Sequence, residues 1–198
     1  VLLQPRFGAD EARLSIRGSG LQRTFHLRGV NLLQDGVPVT LADGGSDFQT
    51  IEPLALAYVE VMRGANALRY GGGTLGGSIN FVSPTGRDMP GWRARVEAGS
   101  FGYQRAVLSA GGAGAQGDYF MTASGSRQAG FRDWSEQENL RFSGNLGWSL
   151  HERAETRMYV AALQSSSQLP GAVTLAQLMT APRQAAASNL GGRQARGY

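Results

Sequence analysis

The sequence predicts a small α+β domain, a mixed sheet with short helices, followed by antiparallel strands of the transmembrane β-barrel kind. Three observations predict it. Glycine is abundant, 29 of 198 residues, while only 17% of residues are charged, which suits tight turns and strands better than long helices. In the first part, short alternating runs stand beside short helical cues and are broken by Asp-Gly, Gly-Gly and Pro. From Trp92 onward the alternation becomes long and regular, with connections that are short and long by turns.

Arg13 to Arg17 alternates apolar and polar residues and predicts a strand ended by Gly18-Ser19-Gly20. Thr24 to Arg28 predicts a second, with Phe25 and Leu27 on one face and His26 and Arg28 on the other. Asn31 to Leu33 and Val37 to Leu41 flank Gln34-Asp35-Gly36, where Asp-Gly suits a tight hairpin. Ala42 to Gln49 is polar and glycine-rich and reads as a loop, whose Asp47 could cap a short helix over Ile51 to Leu56 with Pro53 in its first turn. Val59 to Met62 predicts a strand, Arg63-Gly64 a turn, Ala65 to Leu68 a helical half-turn, and Ser78 to Val82 a strand halted by Pro84. Asp88-Met89-Pro90-Gly91 marks a boundary.

Beyond it, Trp92, Ala94, Val96 and Ala98 alternate with Arg93, Arg95 and Glu97. Tyr119 to Ser126, Leu140 to Leu150 and Thr156 to Leu163 repeat the strand signal; in the second of these, Leu140, Phe142, Leu146, Trp148 and Leu150 share a face opposite Arg141, Ser143 and Asn145. Such a dyad fits a half-buried soluble strand as well as a barrel strand with lipid outside and charges in the lumen, and repetition favours the barrel. The link His151 to Ala154 is tight, whereas Arg127 to Gln137 and Ser165 to Arg193 are long, as periplasmic turns and outer loops are in such barrels. Five strands and the start of a sixth are expected. Trp92, Trp148, Tyr103 and Tyr159 are candidates for the aromatic girdles at the membrane interfaces. Leu175 to Met179 predicts a short helix inside the last long loop.

Several function classes find no support. The chain has no cysteine, hence no disulfide framework or thiolate site. Its net charge of +4 and pI near 10.0 come from scattered basic residues without a nucleic-acid-binding motif. No apolar run reaches the ~20 residues of a membrane-spanning helix. His26 and His151 have no second histidine at a usable ligand spacing, so no metal site is expected. Glu60 lacks a second carboxylate at fixed spacing, and no Ser, His or Asp constellation supports catalysis. Gly71 to Gly77 lacks the G-K-[ST] ending of a phosphate loop and leads into a strand. The start, Val1-Leu2-Leu3-Gln4-Pro5, has no signal-peptide pattern, and the end looks like a strand cut short, so an internal piece of a longer protein is expected.

Three ordered motifs carry a resemblance: S-I-R-G at Ser15 to Gly18, L-x-D-G-x-P at Leu33 to Pro38, and E-x-x-R-G at Glu60 to Gly64 followed by A-L-R-Y-G and G-G-S-I-N-F-V at Gly76 to Val82. In this order and spacing they resemble the plug domain of TonB-dependent outer-membrane receptors. The resemblance implies a plug domain over residues 1–86, truncated at its start, and the first barrel strands over residues 87–198, truncated at their end. The whole would be a plugged barrel of about 22 strands.

It also implies energy-coupled uptake of a scarce nutrient complex, most simply a ferric siderophore or ferric citrate-like chelate, in the outer membrane of a Gram-negative bacterium. The implied partners are the TonB protein of the inner membrane, the ferric chelate and outer-membrane lipid, with no nucleic acid, no cofactor and no catalytic residue. Cobalamin, a copper or zinc complex and an oligosaccharide remain alternative cargoes, and a soluble β-rich binding module is the rival outside the class. Arg17 and Arg63 match the two plug arginines that face barrel glutamates, a role suited to a guanidinium because it keeps its charge when buried. Glu60, Gly64, Gly71, Gly76, Gly77 and Asn80 match positions that shape the plug. By position in the family, the ligand-facing apices carry Gln22, Arg23, Phe25 and His26 in one loop and Asp43, Ser46, Asp47 and Phe48 in another, with Arg6 nearby. Arginine and aromatic groups suit an anionic or catecholate iron complex.

Overall fold

The computed structural model describes residues 1–5, 12–20, 27, 29–39, 50–151 and 154–197. The chain divides into two compact units, Val1–Pro84 and Thr85–Tyr198.

In the first unit, β1 (Leu2–Pro5) and β2 (Ala12–Ser15) pair antiparallel. A second sheet has the order β4-β3-β6-β5, built from β3 (Val30–Gln34), β4 (Val37–Pro38), β5 (Tyr58–Arg63) and β6 (Gly77–Val82). The β3–β6 pair is parallel and the others antiparallel. Leu14, Ile16, Leu27, Val30, Leu32 and Ile79 form the core, with Val39 and Phe81 packed against it. Asp35 and Gly36 have φ of 53° and 82°, the left-handed pair of a two-residue hairpin turn, so the Asp-Gly reading holds in its finest detail. Pro38 follows on an edge strand, where its missing N–H costs no ladder bond.

Two local readings are corrected. The cap of the short helix is Glu52, whose Oε1 accepts from the Leu54 N–H at 3.1 Å; the helix is a 3-10 turn over Pro53–Ala55, and Asp47 lies outside the described residues. Arg17 is not the last residue of a strand: Ile16 and Ser19 exchange backbone hydrogen bonds of 3.1 and 3.0 Å, and Arg17 and Gly18, at φ 53° and 82°, form the tip between them. Glycine at 18 makes this second left-handed turn cheap, which alternation along Arg13 to Arg17 does not reveal. Thr24 to Arg28 lies outside the described residues except for Leu27, which is buried and belongs to no strand.

The second unit is one antiparallel meander: β7 (Gly91–Ala98), β8 (Gln104–Ala113), β9 (Gly117–Gln128), β10 (Gln137–His151), β11 (Ala154–Gln168) and β12 (Arg193–Gly197), each paired with its neighbours in sequence. β8 is the strand that the sequence analysis did not name, because its Gly111-Gly112 and alanines blur the alternation. The long loop after β11 carries α1 (Leu175–Thr180), capped by Thr174, whose side chain accepts from the Gln177 N–H.

The wall is inverted relative to a soluble sheet. Arg141 and Asn145 are each 3% exposed, whereas Leu140 and Trp148 on the same strand are each 58% exposed. Ser109, Asp118, Thr122, Ser124, Ser126 and Asn139 continue the buried polar face. That is the arrangement of a membrane barrel, and it resolves what periodicity leaves open. Trp92 and Trp148 stand on the exposed apolar face. Tyr159 does not: two residues from Arg157 and paired in register with Asn145, it lies on the polar face. Tyr103 sits in the β7–β8 turn against Gly99.

Two outcomes follow. A Cβ at Gly77 would stand 2.3 Å from the Met62 carbonyl oxygen on a backbone with φ of 150°, so Gly77→Ala should destabilise the first unit by about 1–3 kcal/mol. Gly72 has open space around it, and Gly72→Ala should stay within about 0.5 kcal/mol; urea titration followed by proteolysis of that unit compares the two. On the wall, Phe142→Arg should cost about 2–4 kcal/mol if it lies near mid-membrane. Its yield of assembled, heat-modifiable receptor should fall well below that of Ser143→Arg on the opposite face, and equal yields would contradict the barrel assignment.

Candidate functional site

The motifs scattered through the first unit meet in space. Asn80 joins two of them: its Oδ1 accepts from the Gly36 N–H at 3.0 Å, and its Nδ2 donates to Glu60 Oε2 at 3.1 Å. The Tyr70 hydroxyl also donates to Glu60 Oε2, at 3.4 Å, while Asn31 Nδ2 donates to the Tyr70 carbonyl at 3.2 Å. Asp35 holds the same hairpin from its other side, accepting from the Ser83 N–H and the Ser83 hydroxyl, both at 2.7 Å. Asn31, Asp35, Glu60, Tyr70 and Asn80 thus form one part-buried network. Its two carboxylates, of Glu60 and Asp35, both accept hydrogen bonds that tie β6 and Ser83 to their neighbours, and the arrangement acts as a fixed frame.

The Arg17 side chain comes to the residue that follows Arg63. The Arg17 guanidinium reaches Gly64 so closely that a Cβ there would stand 2.7 Å from its Nη1, and Gly64 follows Arg63 directly. Both arginines are exposed, and among the described residues neither has a carboxylate at ion-pair distance. Gly64, at φ 62°, opens a 3-10 helix over Gly64–Tyr70, and Gly71, at φ 94°, ends it by donating to the Leu68 carbonyl. Gly76 lies against Ser19 and the Ile16 carbonyl oxygen, which a Cβ would meet at 2.6 and 2.7 Å. Close backbone approach accounts for both Gly76 and Gly77. The apical candidates Arg6, Gln22, Arg23, Phe25, His26, Asp43, Ser46, Asp47 and Phe48 all lie outside the described residues.

The second unit contains a charge cluster that the sequence analysis missed. Arg157 donates from both terminal nitrogens to Asp118, at 2.9 and 2.8 Å, and also to Asn145 Oδ1 at 2.6 Å and Glu155 Oε1 at 2.7 Å. The Gly86 N–H donates to Asp118 at 3.1 Å, and Arg87 stands 3.6 Å away. Asp118 and Arg157 both face Gly147 in register, one from β9 and one from β11. Gly147 is therefore the gap across which Arg157 reaches, since a Cβ there would stand 2.3 Å from its Nη2. The signal in the sequence is a glycine at an otherwise polar, inward position, readable only once the register is known. In the turn before β7, the Thr85 hydroxyl and N–H bind the Asp88 carboxylate and hold its pKa below the ordinary value.

Asn80→Ala leaves the Gly36 N–H and one Glu60 hydrogen bond without protein partners. It should cost about 1–3 kcal/mol in the first unit, read as lowered resistance of that unit to urea-assisted proteolysis; an unchanged midpoint would show that water replaces the amide at no cost.

Residues 1–78 match the family model for the TonB-dependent Receptor Plug Domain. The rhizobactin receptor of Rhizobium meliloti (strain 1021) is 31% identical over 138 residues, 69% of this chain and 17% of that protein. Among solved structures, the copper transporter OprC superimposes with a TM-score of 0.66 at 18% identity, covering 84% of this chain and 26% of that one. The ferric citrate transporter FecA in its unliganded form gives 0.64 at 19% identity, covering 86% of this chain and 29% of that one. The chain thus spans under a third of the length of these proteins. With the plug-domain match over residues 1–78 and 31% identity to the rhizobactin receptor over 138 residues, the chain belongs to the TonB-dependent receptor family.

Proposed function

We propose that the chain supplies the plug domain, residues 1–86, and the first wall, residues 87–198, of a receptor in a Gram-negative outer membrane that takes up a ferric siderophore or a ferric citrate-like chelate. The observation that carries this reading is the 31% identity to the rhizobactin receptor, over a stretch of 138 residues that exceeds the 84 residues of the first unit and so reaches into the wall. The inverted wall supports it independently, because an exposed apolar face opposite a buried polar one suits lipid outside and an aqueous path within.

In this reading the frame around Asn80 keeps the plug rigid, and Arg17, whose side chain reaches Gly64, and Arg63, the residue before it, latch the plug to carboxylates of the barrel. A guanidinium keeps its charge when buried and forms charge-assisted bonds to a carboxylate. Arg6, Arg23 and Phe48 lead the ligand contacts, with Gln22, Phe25, His26, Asp43, Ser46 and Asp47 around them; guanidinium and aromatic groups suit an anionic chelate. TonB at the inner membrane supplies the work, so the chain has no reaction to catalyse.

The test is growth under iron starvation of the source cell with the full-length gene deleted or restored, on a panel of ferric chelates. Restoration on one chelate and not the others is expected, with Arg23→Ala and Phe48→Ala raising the concentration needed. If the restored gene makes no difference on any iron source, the cargo is not ferric, and cobalamin and a copper complex become the cargoes to test next.

A further inference from the structure

The connections that follow β7, β9 and β11 gather at one end of the wall. The Ala129 and Gly130 N–H groups donate to the Phe101 carbonyl at 3.0 and 3.2 Å, and the Phe101 and Phe131 rings meet edge to face at 5.6 Å. The β9–β10 loop is tightly determined: Gly130 has φ of 81° and Trp134 has φ of 58°, and the Ser135 hydroxyl bonds back to the Ala129 and Arg132 carbonyls. A side chain projecting from such a loop has a fixed origin.

That side chain is Arg132. Its Nε and Nη2 donate to the Gln184 carbonyl at 3.1 and 2.7 Å, its Nη1 to the Gly171 carbonyl at 2.7 Å, and its Nη2 also to the Pro170 carbonyl at 3.3 Å. Residues 170–171 lie on the outgoing limb of the loop 169–192 and residue 184 on the returning limb. One guanidinium therefore ties both limbs together and ties them to the neighbouring loop. The Asp133 N–H adds a bond to the Arg183 carbonyl at 2.6 Å, and Trp134 Nε1 one to the Gly192 carbonyl at 2.8 Å. Past this base, the hydrogen bonds of the arm 172–182, which contains α1, run within the loop itself. Only arginine has the planar set of donors that can reach three carbonyls from one point; a lysine in its place keeps the charge and loses the fork.

We propose that Arg132 is a positioning residue: it sets the base of the outer loop 169–192 and so presents the arm 172–182 in one place before any ligand arrives, which lowers the ordering cost of capture. The use in capture rests on the receptor reading above, whereas the position does not.

Trypsin cuts after Arg183. In the full-length receptor in outer-membrane vesicles, Arg132→Ala should speed cleavage between Arg183 and Gln184 about tenfold or more, because cleavage follows the population of the open loop and charge-assisted bonds are lost. Arg132→Lys should fall between that variant and the wild type, while the heat-modifiable barrel stays intact in all three. Spin labels at Ala176→Cys and Ala123→Cys, in a full-length receptor with any other cysteine replaced by serine, should give a narrow distance distribution that broadens in Arg132→Ala. Should Arg132→Ala not assemble, Arg132→Gln is read in the same way. Equal cleavage rates, or distributions of equal width, would overturn the proposal, and neither readout depends on which chelate the growth panel identifies.

Discussion

The first unit depends on one amide. Asn80 sits at the middle of β6, accepts from the turn at Gly36 and donates to the carboxylate of Glu60, and so fixes the hairpin and β5 to the strand between them. A hydrophobic contact in its place would leave a backbone donor and a carboxylate without these partners, and each such loss costs more than the bond itself contributes when made. The parallel register of β3 with β6 and the antiparallel register of β5 with β6 are thus locked to each other by side chains as well as by the ladder. Around that frame, glycines stand where backbone approaches backbone, and the two arginine-bearing turns come to lie side by side.

The wall obeys a different constraint. Lipid offers no hydrogen bonds, so backbone groups must be met by a neighbouring strand, and the meander does this along β8, β9 and β10, with one register shift between Ser149 and His151. With the apolar residues turned outward, the polar ones must satisfy one another on the other face. Arg157 illustrates the solution, with Asp118, Glu155 and Asn145 around one guanidinium and a glycine at 147 to let it pass. A buried charge without such company would be costly, whereas a charge with four acceptor contacts is held.

Much of the fold is legible from local pattern because local pattern is what these elements obey. Asp35-Gly36 must turn left-handed, Pro84 must end a strand, and Trp92 to Ala98 must offer two unlike faces. Reading failed where neighbours decide. Glu52 rather than Asp47 caps the short helix because the helix starts two residues later than its apolar residues suggest. Arg17 tips a turn because Gly18 and the Ile16–Ser19 pairing make it one. Tyr159 faces the polar side because the register of β11 is set by β10. Of the candidate site, the plug-shaping residues and the two arginines could be found by motif, while the Asp118–Arg157 pair and the Arg132 staple could not, since both join residues far apart in sequence.

By itself the sequence determined the family, the two-part organisation and the alternation of the strands, since ordered motifs and period-two patterns are properties of the chain alone. Only the tertiary structure decided which face of the wall is covered, because alternation defines two faces without saying which one meets lipid. It alone brought Arg17 against Gly64 and drew both limbs of the outer loop onto Arg132, because such contacts depend on the register of strands and the path of loops, which no local spacing records.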